Sequence, residues 1–213
     1  MISPLLSNIY LHVLDRVWEE RCAQLGTLVR YADDFVVMCQ TKVQVEEARR
    51  RVGIVLAHLG LELQGEKTRT VDLSEGHEGF DFLGCHLRKR LSGPIWERSR
   101  QRVYYLHRWP SQRAMKRVRA RVRELTPRRR CHEDLRGVIA SLNPVLRGWG
   151  QYFRTGNASR QFLTVDLYVV DRLRSLLRKR HNLRHPAGHW RVDFFQGLGL
   201  HCLGGTVRYP GAA

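Results

Sequence analysis

Hydrophobic and polar positions along the first part of the chain predict a helix followed by a β-hairpin. Ser3-Pro4 is typical of a helix start, and apolar residues then recur at helical spacing as far as Trp18. Between Leu28 and Cys39, the residues on both sides of Ala32-Asp33-Asp34 are apolar apart from Arg30. Such a pattern predicts two antiparallel strands with the turn at these three residues.

A second helix and two short strands are expected next. Thr41 is a favourable residue for a helix N-terminus, and Gly60 is a favourable residue for the end of the same helix. Residues 70–73 and 80–83 combine β-branched, aromatic and aliphatic side chains between glycine-containing turns. We expect a strand at each of them.

The pattern becomes helical after Gly93-Pro94. Ser111 is a favourable N-terminal cap for a helix that Pro127 stops, and residues 135–142 predict another helix. The apolar face of the first of these helices lies beside a face rich in arginine. The second half of the chain is therefore expected to be a basic helical bundle.

Two further helices complete the expected fold. Asn143-Pro144 is expected to begin one of them, and residues 162–181 predict the other. The predicted fold class is α+β. We expect one domain of β-hairpins and helices over residues 1–93 and a basic α-helical domain over residues 94–213.

Charge is distributed unevenly along the 213 residues. The chain has 37 Lys and Arg against 20 Asp and Glu, a net charge of +17. Residues 1–87 carry 9 basic and 13 acidic side chains, whereas residues 88–213 carry 28 basic and only 7 acidic ones. A GC-rich gene would explain arginine in place of lysine, but it would not explain why acidic residues become scarce. This distribution favours nucleic-acid binding by the second half.

Eight basic side chains are the candidates for RNA contact. They lie on predicted helices at three- and four-residue spacing, where the alternative is an ordinary solvated face. They are Arg113, Lys116, Arg117, Arg121, Arg147, Arg154, Arg178 and Lys179. Trp149, Tyr152 and Phe153 could stack on bases, but their helical spacing favours a place in the core.

Several protein classes are disfavoured by the same sequence. The apolar runs are too short to cross a membrane, and the N-terminus has no basic signal-peptide region. The five cysteines are scattered without a C-x-x-C pair, and the histidines show no zinc-binding spacing. We expect reduced thiols, no membrane partner and a cytoplasmic location.

Asp33 and Asp34 are the sharpest chemical signal. Two adjacent carboxylates at a hairpin tip form a hard anionic site that suits Mg²⁺. Phosphoryl transfer uses such carboxylates to hold two metal ions on the attacking and leaving oxygens. The alternative is that aspartate is simply a favoured turn residue.

The tetrad Tyr31-Ala32-Asp33-Asp34 resembles the signature of reverse transcriptases. Further blocks follow the order found in bacterial group II intron reverse transcriptase/maturases: the palm, the maturase-specific thumb (domain X), and the end of members without an endonuclease domain. They are residues 2–11, 59–62, 66–69 and 79–84 for the palm, Pro110-Ser111 and residues 142–154 for the thumb, and residues 194–200 and 205–210 for the end.

This resemblance implies roles for particular residues. Asp33 would be a metal ligand shared by two Mg²⁺ ions, and Asp34 would be its neighbour in the metal site. Lys67 would lie near the incoming triphosphate and protonate the leaving pyrophosphate. A solvated lysine after a turn is the alternative for Lys67.

In that family, a Gln-Gly-Gly turn, the fingers and a further palm aspartate precede the block at residues 2–11. We therefore expect the C-terminal portion of a bacterial enzyme, with a partial palm and an incomplete two-metal site. The expected function is RNA-directed DNA polymerase and splicing cofactor, with no polymerisation by this chain alone. A non-enzymatic RNA-binding splicing cofactor is the alternative, and the product of a decayed gene is a third.

The partners expected from the resemblance are nucleic acids and one protein. Group II intron RNA and a DNA target or primer are the nucleic acids. A separate N-terminal fragment of the reverse transcriptase is the expected protein partner.

Overall fold

The structure is a computed structural model that describes residues 3–182 and 190–209. Residues 2 and 210, at the ends of two sequence blocks, lie outside the described residues. The chain divides into two compact units, Met1–Val71 and Asp72–Ala213. The fold is mixed α+β, as predicted, with helices and two small antiparallel sheets.

The first unit contains two helices and one hairpin. In chain order, its elements are α1 (Ser3–Arg21), a 3₁₀ turn (Ala23–Leu25), β1 (Thr27–Tyr31), β2 (Asp34–Met38) and α2 (Lys42–His58). Thr41 caps α2 as predicted, because its hydroxyl accepts a hydrogen bond from the Gln44 amide at 3.2 Å. The Gln44 side-chain oxygen in return accepts a hydrogen bond from the Thr41 amide, so two orphan amides are satisfied together.

The core of this unit lies between α1, α2 and the hairpin. It is formed by one buried cluster: Leu11, Leu14, Trp18, Cys22, Ala48, Val52 and Leu56. The Trp18 indole nitrogen donates to the Gly26 carbonyl at 2.9 Å, which anchors the end of α1 to the start of the hairpin. Another face of α1 stays exposed although it is apolar: Leu5, Leu6, Ile9, Tyr10 and Val13.

The second unit opens with a three-stranded antiparallel sheet in the order β3–β4–β5. Its strands are β3 (Gly79–Phe82), β4 (Cys85–Leu91) and β5 (Tyr104–Pro110), with α3 (Gly93–Ser99) between the last two. The compact units divide at residues 71/72, whereas the sequence places a domain boundary at residues 93/94. The difference arises because β4 and β5 pair along their whole length across the latter position.

The strand expected near residues 80–83 is present, but the strand expected at residues 70–73 is wrong. There the Asp72 carboxylate accepts from the Ser74 amide at 2.8 Å, and the Asp72 amide donates to Glu78 at 3.1 Å. These local bonds form a turn and occupy groups that a strand would pair. The purely helical pattern expected after residue 94 is also wrong, because β5 lies there.

Helices make up the rest of the second unit. In chain order, they are α4 (Gln112–Leu125), a 3₁₀ turn (Arg128–His132), α5 (Leu135–Phe153), α6 (Ser159–Arg180) and α7 (Val192–Gly197). Ser111 caps α4 as predicted, with its hydroxyl accepting from the Ala114 amide at 3.2 Å. Helix α6 begins three residues before, and ends one residue before, the range expected from its apolar pattern.

Pro144 lies inside α5 and does not start a new helix, so that prediction is wrong. A proline within a helix removes one backbone hydrogen bond and costs about 3 kcal/mol. Leu142 and Leu146, on either side of it, are both fully buried in the core of this unit. Burial of such leucines contributes about 1.5–3 kcal/mol each. Packing therefore outweighs the local preference for a break.

Candidate functional site

The two aspartates lie where the sequence predicts them, at the tip of the hairpin in the first unit. Tyr31, the last residue of β1, pairs with Asp34, the first residue of β2, and Ala32 and Asp33 form the connection. Ala32 has φ 55°, a left-handed conformation that closes a two-residue hairpin loop. Asp33 and Asp34 are both exposed, so their carboxylates are accessible to a ligand.

Arg30 ties this tip to α1. Its guanidinium donates to both carboxylate oxygens of Asp15, to Asn8 Oδ1 at 3.1 Å, and to the Ala32 carbonyl at 2.7 Å. Only 10 % of the Arg30 side chain is exposed, and the hydrogen bond with Asp15 raises the pKa of its guanidinium. A bidentate, half-buried pair of this kind fixes geometry. The loop that carries Asp33 is thus held by its own strand and by α1.

Lys67 is exposed and lies after α2, in a turn where its amide donates to the Gln64 carbonyl at 3.0 Å. It belongs to the same compact unit as Asp33 and Asp34. Within residues 3–182 and 190–209, no hydrogen bond or ion pair joins the Lys67 side chain to either aspartate. Its role stays a prediction.

Helix α4 presents a basic face in the second unit. Its apolar side is buried, as the pattern predicts: Ala114, Met115, Val118 and Val122. Arg113, Lys116 and Arg117 are exposed, and none of them has an ion-pair partner among the described residues. Arg121 is exposed but donates to Glu124 at 2.8 Å. An exposed pair of this kind contributes little to stability and can exchange for a phosphate.

The other candidate cations lie on α5 and α6. Arg147 is exposed and Arg154, just after the end of α5, is half-buried; both line one groove of the second unit. Arg178 and Lys179 lie in the last turn of α6, where positive charge complements the helix dipole. Arg178 is half-buried, whereas Lys179 is exposed.

Two family models match this chain, one over the part that contains the aspartates and the other over the part that contains the basic helices. A family model for reverse transcriptase (RNA-dependent DNA polymerase) matches residues 1–87, which contain the aspartate hairpin. A model for the group II intron maturase-specific domain matches residues 115–193, which contain most of α4 together with α5 and α6. The chain belongs to the group II intron reverse transcriptase/maturases. None of the curated proteins compared with it matches.

Proteins of this family act in intron splicing and in reverse transcription, and this is the function of the chain as a class. Their domains bind intron RNA and nucleic-acid substrates. Across the part of the chain that the structure describes, no helix is both long and apolar enough to cross a membrane.

Reverse transcriptase domains generally use Mg²⁺, and the oxygen donors of Asp33 and Asp34 are of the type that Mg²⁺ prefers. Their number does not complete a two-metal site. Over residues 3–182 and 190–209, no group of three or more His, Cys, Asp or Glu side chains is placed to hold an ion. The role of Asp33 and Asp34 as metal ligands stays a prediction.

Several arginines of the basic half have structural roles that the sequence does not reveal. Arg172 donates to the carbonyl and the hydroxyl of Thr126, at the C-terminal end of α4. Arg130 donates to the Leu125 carbonyl at 2.6 Å, and Arg180 donates to the Cys131 carbonyl at 2.6 Å. These bonds satisfy carbonyls that helix and turn ends leave unpaired.

The aromatic residues of α5 divide between core and surface. Phe153 is buried, and Trp149 packs against it with ring centroids 4.9 Å apart, so both belong to the core as their spacing favours. Tyr152 is exposed, and its hydroxyl donates to the Leu83 carbonyl at 2.8 Å. That bond links α5 to the turn between β3 and β4.

Proposed function

We propose that this maturase binds intron RNA mainly through the exposed basic face of α4, with Arg147 and Arg154 near the end of α5 and Arg178 and Lys179 at the end of α6. The observation that carries the proposal is the face of α4. Arg113, Lys116 and Arg117 are exposed there without an ion-pair partner among the described residues, beside a fully packed apolar stripe. Such cations neutralise phosphates and release counterions.

The test is a titration of group II intron RNA across a range of salt concentrations. For wild type, affinity should fall steeply with salt, by about 0.7 to 0.9 in log–log slope for each phosphate contacted. The double variant Arg113→Gln/Arg117→Gln should lower this slope by the equivalent of about two phosphate contacts. It should weaken binding to unrelated structured RNAs to the same extent. A slope equal to that of wild type would assign these arginines to a solvated face.

We further propose that Asp33 and Asp34 are acidic ligands of the polymerase centre and that Lys67 contacts the triphosphate of the incoming nucleotide. Their support is the reverse transcriptase match over residues 1–87 and the exposure of all three side chains. Additional carboxylate ligands must then come from outside the described residues, since two carboxylates do not hold two Mg²⁺ ions unaided.

A non-enzymatic splicing cofactor is the second candidate function. It is favoured by the lack of a three-acid cluster among residues 3–182 and 190–209. Primer extension with Mg²⁺ by the chain together with a separate N-terminal fragment of the reverse transcriptase decides between the two. Extension that Asp33→Ala abolishes supports the polymerase, whereas RNA binding without any extension by the pair supports the cofactor.

A further inference from the structure

A groove of about 780 Å³ lies in the second unit between α5 and the chain segment after α7. Arg147, Gly148 and Arg154 line it from α5 and its end, and His201, Thr206 and Arg208 line it from the later segment. The maturase-specific match ends at residue 193, so the second wall lies beyond the matched range. Neither His201 nor Arg208 is among the RNA-binding residues predicted from the sequence.

The second wall is built into the fold. The Asp166 carboxylate on α6 accepts from the Leu203 amide at 2.9 Å and from the Gly204 amide at 2.8 Å. The Asn143 side chain accepts from the His201 amide at 2.9 Å, and the Arg208 amide donates to the Arg154 carbonyl at 2.8 Å. The groove is therefore formed before any ligand arrives, which lowers the cost of binding.

Leu203 fixes the wall by packing. Its side chain is fully buried, and it lies so close to Gly150 that a Cβ there would be 2.5 Å from Leu203 Cδ2. Glycine at position 150 thus allows α5 and the segment to approach each other. The width of the groove follows from this contact.

The lining is positively charged and contains no acidic side chain. Arg147 and Arg154 are seven residues apart, about 10 Å along the helix axis, and Arg208 faces them from the other wall. Burial and the nearby Arg147 lower the pKa of His201, which keeps its ring mostly uncharged at neutral pH. Three fixed cations suit phosphates, and the neutral imidazole and the Gln151 amide suit a base or a ribose.

The shape of the groove distinguishes between paired and unpaired RNA. The volume of this open concave site is in the size range of sites for small ligands. A double helix presents its phosphates on a convex surface, whereas an unpaired nucleotide can enter a pocket. We propose that this groove binds an unpaired segment of RNA, with a nucleotide inside and its flanking phosphates on Arg147, Arg154 and Arg208. The inference rests on the proposed RNA binding. It adds where on the second unit the RNA binds and that the bound segment is unpaired.

Two glycines of α5 provide a matched test without any change of charge. Gly148 lines the groove, Gly137 lies outside it, both are exposed, and a Cβ at either position would meet no atom within 4 Å. Gly148→Leu should therefore fold and fill the groove, whereas Gly137→Leu adds the same side chain elsewhere on the helix. Both variants should gain similar helix stability, which thermal melts will verify.

Binding of a labelled, unstructured oligouridylate and of a fully paired RNA of equal length is measured by fluorescence anisotropy. Gly148→Leu should weaken oligouridylate binding by about tenfold, the loss expected when one hydrogen bond from a charged donor is blocked. Its affinity for the paired RNA, and both affinities of Gly137→Leu, should stay unchanged. Arg208→Gln should show the same selective loss, with Arg136→Gln on exposed α5 surface as its control.

The outcomes separate the two proposals. If Gly148→Leu and Arg208→Gln lose affinity equally for both RNAs, or lose none, the groove proposal is overturned and the proposed RNA binding stays intact. Failure of wild type to bind either RNA with salt-dependent affinity overturns the proposed function itself. Selective loss of the oligouridylate alone supports the groove.

Discussion

Replacement of Arg172 by methionine separates arginines that hold the fold from arginines available to RNA. Arg172 lies on α6 and is half-buried, and its guanidinium donates to Thr126, a residue with no exposed surface at the end of α4. Methionine keeps much of the aliphatic length and removes every donor. Arg172→Met therefore leaves the buried Thr126 carbonyl without its partner.

The expected loss follows from these two hydrogen bonds. An unsatisfied buried acceptor costs about 1–3 kcal/mol, and a hydrogen bond from a charged donor is worth about 1.5–3 kcal/mol. Removing the half-buried charge offsets part of this cost, because that charge no longer has to lose water. We expect about 2–4 kcal/mol of lost unfolding free energy. The melting temperature should fall by about 2–4 °C for each kcal/mol.

The assay is thermal unfolding followed by tryptophan fluorescence, which reports mainly on the second unit. Four of the five tryptophans lie there: Trp96, Trp109, Trp149 and Trp190. Arg117→Met is the control, because Arg117 is exposed and substitutions at such positions usually stay within about 0.5 kcal/mol. RNA titrations under folding conditions should show the opposite ranking of the two variants. Arg117→Met should lower the slope of affinity against salt, and Arg172→Met should not. A lower slope for Arg172→Met at unchanged stability would refute this division.

Three other predictions concern the second unit and its start. Asp166→Ala should destabilise the chain by about 1–3 kcal/mol because the amide of buried Leu203 loses its acceptor, whereas Asp166→Asn retains one acceptor and should lose less; urea titrations of both variants check this. Gly156→Ala would place a Cβ 2.4 Å from the Arg108 carbonyl oxygen and should lower the melting temperature, whereas Gly137→Ala should raise stability by about 1 kcal/mol. Limited proteolysis should cut within residues 61–71, which contain no helix or strand, and mass spectrometry should then find a fragment that begins near residue 72.

Elements specified by local chemistry were predictable from the sequence. The hairpin tip at Asp33, the capping residues Thr41 and Ser111, and the apolar stripe of α4 depend on residues close in the chain. The family resemblance depended on such contiguous blocks as well. The position of Asp33 and Asp34 was therefore available before any tertiary contact was known.

Features that depend on distant residues were not predictable in the same way. Pro144 indicates a helix break locally, and only the burial of Leu142 and Leu146 explains why α5 continues. Strand β4 has polar or basic residues at four of its seven positions, so the sequence pattern does not reveal a strand that pairs with β5. The aromatic start of β5, Tyr104-Tyr105, was a signal of β-structure that helical spacing nearby obscured.

The sequence predicts how many positive charges the chain carries, but not which arginines form hydrogen bonds within the fold. In the sequence, Arg30, Arg172 and Arg180 contribute to the positive charge like any other cation. In the structure, each of them donates hydrogen bonds to a carboxylate or a carbonyl within its own unit. Two sequence features indicated the ion pair between Arg30 and Asp15. Arg30 lies within an apolar strand, and Asp15 lies within an apolar stripe of a helix. No comparable signal points to the groove residues His201 and Arg208.

Under the proposed function, the second unit attracts the RNA and the first unit carries the reacting centre. Residues 1–71 carry equal numbers of basic and acidic side chains, nine of each, so the unit with Asp33 and Asp34 offers phosphates little net attraction. Several of its arginines are engaged as well, such as Arg50 and Arg51 with Glu47. Affinity must then come from the second unit, and the covalent link raises the effective concentration of bound RNA near the aspartates. Salt that releases RNA from α4 should for this reason also abolish any reaction at the hairpin.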